Sequence, residues 1–419
     1  MPSLIVRPSG PLEGTVPISG AKNSVLKLMA ATVLAEGTYT LSNVPRIADV
    51  GWMGDLLESM GMVVEWVGDH ELRIESRPDL NPEAPYELVE KMRASIVVLG
   101  PLLSRWGRAR VALPGGDDFG PRPIDMHVQA LEQLGATFES SHGYIEARAD
   151  RLHGTSIMLE FPSVGATENA LMAAVLAKGT TVIDNAAREP EIADLAGFLN
   201  HMGAVITGAG TSTIGIEGVE ELHAVDHRVV PDRIEAATYL SALGVARGEL
   251  TLEGANADHM TMLVKKLGEM GLRCSPDEAG MWAMAPRRLR SVDVSTLPYP
   301  GIATDYKPFF VAMLCLADGV GIVTENLFAG RWRYVDELVR MGADIRTESH
   351  HAVVRGQERL SGAPVRAPDI RAGAALVIAA LAADGETRIA DAHHIDRGYE
   401  DFVGKLRAVG ADIERVEDA

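Results

Sequence analysis

Charged residues stand where several apolar, helix-like segments of this 419-residue sequence begin. Lysine and arginine are unexpected there, because the free N–H groups at a helix start carry partial positive charge. Acidic residues, Asn and Thr have a simpler explanation, since their side chains cap those N–H groups. The repeated cations therefore predict an anionic ligand. The residues at the six starts are Lys22 with Asn23, Arg93, Thr167 with Glu168, Arg233 with Glu235, Thr304 with Asp305, and Asp369 with Arg371.

A loop rich in glycine and proline, LPGGDDFGPRP at 113–123, could supply acid–base chemistry. It is too broken for a helix or strand, and most such segments are plain surface connections. However, the adjacent carboxylates Asp117 and Asp118 precede Arg122, and hinge glycines suit a lid over an active site. The paired histidines at 350–351 and 393–394 lack the spacing of a helical metal pair, so we expect no metal site.

Two sets of glycines repeat roughly every 70 residues along the chain. Each glycine follows a helix-like segment, where it suits the left-handed closing position, and precedes a strand-like run. Because the two sets of glycines repeat with the same spacing, they indicate six copies of one structural unit. The first set is Gly61, Gly135, Gly203, Gly271, Gly342 and Gly410, and the second is Gly37, Gly107, Gly179, Gly248, Gly319 and Gly385.

The segments before the two sets of glycines differ in their hydrophobic pattern. Those before the second set, such as NALMAAVLA, are apolar on nearly every face, which predicts burial. Those before the first set, such as WRYVDELVRMGA, are amphipathic and should lie outside. We therefore predict an α/β protein with buried helices enclosed by sheets, an inside-out barrel. Six units exceed one core, so we expect three in each of two domains, divided near Val230 and Pro231.

The composition limits the partners of the protein. A net charge of −19 argues against nucleic acid or an anionic membrane surface, because both attract basic patches. The N-terminus lacks the pattern of a signal peptide, and the apolar stretches are too short to span a membrane, so we expect a cytoplasmic protein. Cys274 and Cys315 are typical of buried thiols in a reducing compartment. The oligomeric state stays open.

Motifs along the whole chain resemble those of UDP-N-acetylglucosamine 1-carboxyvinyltransferases, a family of enolpyruvyl transferases. The resemblance implies the enolpyruvyl transferase fold. It assigns residues 20–230, with the loop at 113–123, to an N-terminal domain, and residues 1–19 and 231–419 to a C-terminal domain. It also implies a cleft between the domains that closes on a nucleotide sugar. The matching segments are GAKNSVLKLMAA, MRASIVVLGPL, LPGGDDFGPRPIDMH, PSVGATEN, PDRIEAAT, GIATDYKP, SGAPVRAPDIRAGAALV and HIDRGYE.

The resemblance implies a reaction without metal or organic cofactor. The enolpyruvyl group of phosphoenolpyruvate would pass to the 3-hydroxyl of UDP-N-acetylglucosamine, with release of phosphate, in the first committed step of peptidoglycan precursor synthesis. The hydroxyl must lose a proton and C3 of the donor must gain one, which calls for a base and an acid, while the donor's charge calls for several cations.

The resemblance also assigns roles to individual residues. The phosphoenolpyruvate clamp would be Lys22, Arg122 and Arg397, with further contacts from Arg331 and Arg371. Asp305 would be the hydroxyl base and Asp117 the proton donor to C3, with Asp369 near the reacting centre; Asp118 stays an alternative donor. The acceptor would contact Asn23, Arg93, Pro123, Asp125, Met126, His127, Ser163, Val164, Gly165, Asp305 and Leu327.

Some positions depart from the family pattern, which leaves the acceptor open. Ala329 and Gly330 replace polar residues before Arg331, Leu327 replaces a smaller β-branched residue, and Lys307 replaces a glutamine. One alternative is a relative acting on another uridine nucleotide, such as uridine monophosphate, in natural-product assembly. Another is a catalytically silent nucleotide-sugar-binding paralogue, although retention of the clamp residues argues against silence.

Asp117 generates a prediction about inhibition, because the resemblance implies a cysteine at this position in most members of the family. Fosfomycin is an epoxide that alkylates the cysteine thiolate. We predict that fosfomycin does not inactivate this protein, since a carboxylate replaces the thiolate as nucleophile. The measurement is residual activity and intact mass after incubation with the drug. Rapid inactivation with stoichiometric covalent labelling would refute the prediction.

Overall fold

The computed structural model describes residues 2–115, 123–328 and 330–417. Within these ranges the chain folds into two compact units. The N-terminal unit runs from Gly20 to Val230. The C-terminal unit combines the chain up to Ser19 with the chain from Pro231 onward. No helix in the described ranges combines the length and the apolar character that a membrane crossing needs.

Helices and strands alternate along both units. The α-helices are α1 (Lys22–Ala31), α2 (Ala48–Ser59), α3 (Tyr86–Val89), α4 (Leu99–Trp106), α5 (Asp125–Gln133), α6 (Val164–Ala174), α7 (Pro190–His201), α8 (Arg233–Ala246), α9 (Thr261–Met270), α10 (Lys307–Leu316), α11 (Tyr334–Arg340), α12 (Ile370–Ala380), α13 (His393–Asp396) and α14 (Phe402–Ala408). Short 3-10 helices cover Thr32–Leu34, Arg93–Val98 and Ala257–Met260.

The strands are short, and many are joined in hairpins. The first are β1 (Pro2–Val6), β2 (Leu12–Pro17), β3 (Gly37–Ser42), β4 (Val63–Gly68), β5 (Glu71–Ser76), β6 (Glu83–Ala84), β7 (Arg108–Ala112), β8 (Thr137–Ser141), β9 (Tyr144–Arg148), β10 (Ser156–Met158), β11 (Thr180–Asp184), β12 (Val205–Thr207), β13 (Thr213–Glu217) and β14 (His227–Arg228). The others are β15 (Gly248–Glu253), β16 (Arg273–Asp277), β17 (Gly280–Ala285), β18 (Val294–Ser295), β19 (Val320–Thr324), β20 (Asp344–Glu348), β21 (His351–Arg355), β22 (Leu360–Ser361), β23 (Pro364–Arg366), β24 (Ala383–Asp384), β25 (Thr387–Ala390) and β26 (Ile413–Glu417).

The sheets of the N-terminal unit follow one plan. Their strand orders are β14-β3-β5-β4, β6-β7-β9-β8 and β10-β11-β13-β12. In each sheet, the strand that follows an apolar helix pairs in parallel with a short edge strand and antiparallel with a hairpin. The repeat predicted from the glycines is therefore one sheet with its helices.

The C-terminal unit repeats this plan, but the start of the chain completes it. Its four-stranded sheets are β2-β15-β17-β16, β18-β19-β21-β20 and β23-β25-β1-β26. Strand β2 pairs in parallel with β15, and β1 lies antiparallel between β25 and β26. Residues 2–17 thus contribute strands to two of these sheets.

The helices predicted to be buried form the cores of the two units. In the C-terminal unit, α8, α10 and α12 contact one another, and every residue of α10 and α12 is buried. The amphipathic helices pack outside them: α11, for example, buries Tyr334, Val335 and Leu338 and exposes Val339. Burial of each large apolar side chain stabilises the fold by about 1.5–3 kcal/mol, so the uniformly apolar sequences explain the interior position.

The structure corrects some of the predicted helix starts. Thr167 and Glu168 do not cap α6, because this helix begins at Val164 and Ser163 accepts the capping hydrogen bond from Ala166 N. Thr304 and Asp305 precede α10, which begins at Lys307. The sequence places the start of α6 too late because serine is as good an N-cap residue as threonine, and the apolar Val164 follows Ser163 directly.

Contrary to the prediction from the sequence, most buried helices do not end at the glycines of the second set. Helix α4 closes on Gly107, but α1, α6, α10 and α12 end before their glycines, with Thr32, Val175, Ala317 and Leu381 as the C-cap residues. Helix α8 has Arg247 as its C-cap residue, with a positive φ of 66° and an extended ψ of −179°, and Gly248 already belongs to β15. A Cβ atom at Gly248 would lie 2.1 Å from the carbonyl oxygen of Leu12 in β2. Glycine is therefore required at this position by the close approach of a neighbouring strand as well as by its own φ of 112°.

Gly218 should be sensitive to substitution, because a Cβ atom there would lie 1.6 Å from the carbonyl oxygen of Ala177. We predict that Gly218→Ala lowers the stability of the N-terminal unit by about 1–3 kcal/mol, measured as a lower thermal unfolding midpoint. The control is Gly197→Ala inside α7, where a Cβ would meet no atom within 4 Å. That change should stabilise by up to about 1 kcal/mol. Equal midpoints for the two variants would contradict the prediction.

Candidate active site

Lys22 occupies the first position of α1 and is 8% exposed. Its Nζ lies 2.7 Å from Oδ2 of Asp49, which belongs to the first turn of α2 and is 1% exposed. The carboxylate therefore offsets the unfavourable position of the cation at a helix start. Sequence reasoning missed Asp49, because nothing in the local pattern around it distinguishes it from an ordinary helix-capping acid.

A second buried cation lies one turn further along α1. Lys27 donates to the carbonyl oxygen of Asn23 at 2.8 Å and lies 3.5 Å from Oε1 of Glu168. Burial raises the pKa of Glu168 to about 7, and the charge of Lys27 opposes this shift. Glu168 is thus part of a buried ion pair between α1 and α6, and Asn23 is held by its backbone beside it.

Apart from Asn23, the predicted acceptor-binding residues of the N-terminal unit lie around the starts of α5 and α6. Arg93 Nη2 donates to the carbonyl oxygen of Pro123 at 3.2 Å, and α5 begins two residues later at Asp125. His127 of α5 is 7% exposed and packs against Gly165 of α6, where a Cβ atom would lie 2.8 Å from the ring. Burial lowers the pKa of His127 to about 4, the charge of Arg93 acts in the same direction, and Asp125 opposes it. Ser163, Val164 and Met126 belong to the same two helix starts.

The C-terminal unit has its own cluster of charges around Asp305. Arg331 Nη1 donates to Oδ1 of Asp305 at 2.7 Å, and Arg371 Nε lies 3.7 Å from Oδ2 of the same carboxylate. Both arginines are buried, at 4% and 3% exposure. One carboxylate thus contacts two guanidinium groups, which favours its ionised form. The structure brings together three residues that sequence analysis assigned to the reaction.

The remaining predicted residues of this unit surround α12. Asp369 caps the helix, accepting hydrogen bonds from the N–H groups of Arg371 and Ala372 at 2.9 Å. Arg397 is 7% exposed and directly follows α13, which packs against α12. Leu327 is half-buried in the segment after β19, where its N–H donates to Glu325.

Lys307 and Glu325 form a buried ion pair that sequence reasoning did not predict as part of the site. Nζ of Lys307 lies 2.9 Å from Oε2 of Glu325, and both side chains are fully buried. Glu325 also accepts from Thr304, the neighbour of Asp305, at 2.7 Å. Lys307 donates to the carbonyl oxygen of Arg331 at 2.5 Å. The pair therefore joins the segments that hold Asp305 and Arg331.

The two charges of this pair stabilise each other. Burial lowers the pKa of Lys307 to about 8, and Glu325 acts against this shift. Burial alone would raise the pKa of Glu325, but Lys307 and the hydroxyls of Thr296 and Thr304 lower it. Both groups are therefore charged near neutral pH. The departure of Lys307 from the family pattern was the signal that could have identified the pair.

Two predicted site residues, Asp117 and Arg122, lie outside the described residues. In the described part of the chain, no group of three or more His, Cys, Asp or Glu side chains is arranged to hold a metal ion. The two cysteines are free thiols, and burial raises the pKa of both Cys274 and Cys315 to about 12. Cys315 is buried, and Cys274 is half-buried rather than fully buried as predicted.

The chain is similar to known proteins over nearly its whole length. Residues 6–406 match the model of the EPSP synthase (3-phosphoshikimate 1-carboxyvinyltransferase) family. The UDP-N-acetylglucosamine 1-carboxyvinyltransferase of Corynebacterium jeikeium is 50% identical over 99% of each chain. The enzyme of that name from Nocardia farcinica is 52% identical over 97% of each chain. The chain belongs to the UDP-N-acetylglucosamine 1-carboxyvinyltransferase family.

A solved structure agrees with this membership. The crystal structure of the enolpyruvyl transferase NikO from Streptomyces tendae superposes with a TM-score of 0.89, at 26% identity, over 100% of this chain and 99% of that one. The α/β enolpyruvyl transferase fold expected from the resemblance is therefore confirmed.

The Lys307–Glu325 pair gives a test of the site's architecture. We predict that Lys307→Met and Glu325→Gln each destabilise the C-terminal unit by about 3–5 kcal/mol, because each leaves one buried charge unpaired. The double variant should recover most of the loss, since it removes both charges. Thermal unfolding measures all three, with Lys266→Met as control, because Lys266 forms an exposed pair with Glu269 that should contribute less than about 1 kcal/mol. Additive losses in the double variant would contradict the pairing.

Proposed function

We propose that this chain transfers the enolpyruvyl group of phosphoenolpyruvate to the 3-hydroxyl of UDP-N-acetylglucosamine, with release of phosphate. The observation that carries the proposal is full-length identity of about half to relatives named for this activity, including 50% over 419 residues with the protein of Oleidesulfovibrio alaskensis. The reaction is the first committed step of peptidoglycan precursor synthesis, and so part of cell-wall biogenesis in growing and dividing cells. We further propose that it takes place in the cytoplasm.

The donor carries several negative charges, and we assign it to the cations of the site. Lys22, Arg122 and Arg397 would form the main clamp, with Arg331 and Arg371 as further contacts. The described members of this set are buried, and in a site shielded from water their charges would act strongly on a bound anion. The carboxylates that now accompany Lys22 and Arg331 would share these cations with the incoming phosphate.

The chemistry proceeds by addition and elimination. The hydroxyl oxygen bonds to C2 of the donor while C3 gains a proton, which gives a tetrahedral intermediate. The bond between C2 and the phosphate oxygen then breaks, C3 loses a proton, and the double bond forms again. We assign removal of the hydroxyl proton to Asp305 and protonation of C3 to Asp117, with Asp369 stabilising positive charge at C2.

The contacts of Asp305 suggest how its basicity is controlled. Two guanidinium groups beside the carboxylate weaken it as a base, because they favour its charged form. A bound phosphate would attract the same two groups. As Arg331 and Arg371 turn towards the donor, the proton affinity of Asp305 rises. The base would thus become active only when the donor is present.

We assign the acceptor to the helix starts of the N-terminal unit and to Asp305. Donors at the starts of α5 and α6, together with Arg93 and His127, suit the oxygen atoms of a uridine diphosphate. Asn23 and Leu327 would contact the sugar. The full set is Asn23, Arg93, Pro123, Asp125, Met126, His127, Ser163, Val164, Gly165, Asp305 and Leu327.

Phosphate release from phosphoenolpyruvate tests the proposed reaction. The acceptors to compare are UDP-N-acetylglucosamine, UDP-glucose, uridine monophosphate and shikimate 3-phosphate. We expect release with UDP-N-acetylglucosamine and at least about tenfold lower kcat/KM with the others, because a lost substrate hydrogen bond leaves a site group unpaired. Release with uridine monophosphate or shikimate 3-phosphate alone would assign another acceptor.

Lys22 gives a direct test of the donor clamp. Lys22→Ala should lower turnover by at least about a hundredfold, because removal of a cation that stabilises developing charge costs several kcal/mol. Circular dichroism should show that the variant remains folded. Lys178→Ala is the matched control, since Lys178 is exposed in the same unit, and its turnover should equal that of the parent. Unchanged turnover in Lys22→Ala would remove Lys22 from the clamp.

A further inference from the structure

Asn169 of α6 fixes the direction of its hydrogen bond to His127. Nδ2 of Asn169 lies 2.8 Å from Nδ1 of His127, an atom that can donate or accept. Oδ1 of Asn169 accepts from the N–H of Gly100 at 2.8 Å, and Nδ2 donates to the carbonyl oxygen of Ile96 at 3.0 Å. A backbone N–H can only donate and a carbonyl can only accept, so the amide has one orientation. The second hydrogen of Nδ2 therefore points to His127.

The protonation of the His127 ring follows from this direction. Nδ1 must accept, so it carries no hydrogen, and the neutral ring has its proton on Nε2. An imidazolium would instead direct an N–H at the amide group of Asn169. The charged groups that act on the ring are Arg93 and, on its own helix, Asp125, while the α6 residue facing it is the uncharged Asn169. Burial and Arg93 both lower the pKa of His127, to about 4, which keeps the ring neutral.

The other side of the ring faces the start of α6. A Cβ atom at Gly165 would lie 3.0 Å from Nε2, so only glycine lets the ring approach the helix backbone this closely. Among the described residues, Nε2 has no hydrogen-bond partner. The N–H groups of Val164 and Gly165 belong to the first turn, which a helix leaves without internal acceptors. Hydrogen-bond donors therefore gather at this point, beside a nine-tenths buried ring.

We propose that Asn169 is a positioning residue: it holds His127 as the Nε2–H tautomer, so that His127 donates to an acceptor oxygen of the uridine nucleotide beside the start of α6. This inference rests on the proposed function for the identity of the ligand. It does not rest on that function for the state of the ring. Asn169 itself is fully buried, so it would act on the nucleotide only through His127.

Asn169→Asp separates this role from a structural one. A carboxylate at this position can only accept, so Nδ1 of His127 must carry a proton and the pKa of the ring rises. At high pH the ring of the variant is neutral and carries its proton on Nδ1. Its Nε2 can then only accept a hydrogen bond, although the groups beside it at the start of α6 are donors. At low pH the imidazolium restores the Nε2–H. We expect the KM for UDP-N-acetylglucosamine in the variant to rise about tenfold between about pH 6 and pH 8.5, while the parent shows no such rise.

The matched control is Asn200→Asp in α7. The side chain of Asn200 bonds to the backbone N–H and carbonyl of Ile206, with no histidine involved. Loss of that contact should alter stability without a pH-dependent change in KM. An Asn169→Asp variant whose KM is unchanged, or raised equally at every pH, would overturn the proposal.

Nitrogen NMR of the histidine rings in the parent protein decides the tautomer directly. We expect the two ¹⁵N shifts of His127 to indicate a proton on Nε2 only, without titration between about pH 6 and pH 8.5. A proton on Nδ1, or titration in that range, would overturn the assignment of Asn169. The NMR measurement does not require the protein to be active. If the parent released no phosphate with UDP-N-acetylglucosamine, that outcome would overturn the proposed function alone.

Discussion

The structure depends on a single electrostatic constraint: charged groups at the ends of buried helices need partners inside the protein. The apolar bodies of α1, α6, α10 and α12 lie in the interior. Lys22, Lys307 and Arg371 lie in the first turns of α1, α10 and α12, and Lys27 and Glu168 lie further along α1 and α6. A buried charge without a partner costs several kcal/mol, which exceeds what burial of one large apolar side chain contributes. Lys22 with Asp49, Lys27 with Glu168 and Lys307 with Glu325 are the solutions that this chain adopts.

These internal pairs change the meaning of the cations at the helix starts. Their unfavourable position does not by itself require an external anion, because Asp49 and Asp305 already compensate Lys22 and Arg371. An anionic substrate would instead compete with these carboxylates for the same cations. In the proposed reaction, such competition would link binding of the donor to the protonation of Asp305, which a site of unpaired cations could not do. The internal pairs also explain why basic residues can gather in a protein of net charge −19, because each of their cations has a carboxylate beside it.

The repeat places these residues by the same means in each copy. A helix that is apolar on all sides can be buried only if sheets and amphipathic helices surround it, and a single unit is too small to do so. Strands β1 and β2 therefore complete sheets that begin more than two hundred residues later in the chain. Gly248 and Gly165 stand where one backbone or ring must approach another. The glycines of both repeating sets have a positive φ, which is why they recur at fixed places in the units.

The sequence by itself determined the features that depend on local periodicity and composition. These are the six-fold repeat, the buried and amphipathic helices, the repeating glycines with positive φ, and, through motif similarity, the family. Only the tertiary structure decided the partners: Asp49 for Lys22, Glu325 for Lys307, and Asn169 for His127, which lies 42 residues away in the chain. It also moved the start of α6 from Thr167 to Val164. Contacts between distant segments leave no trace in local patterns, because hydrogen bonds and ion pairs require proximity in space and not in sequence.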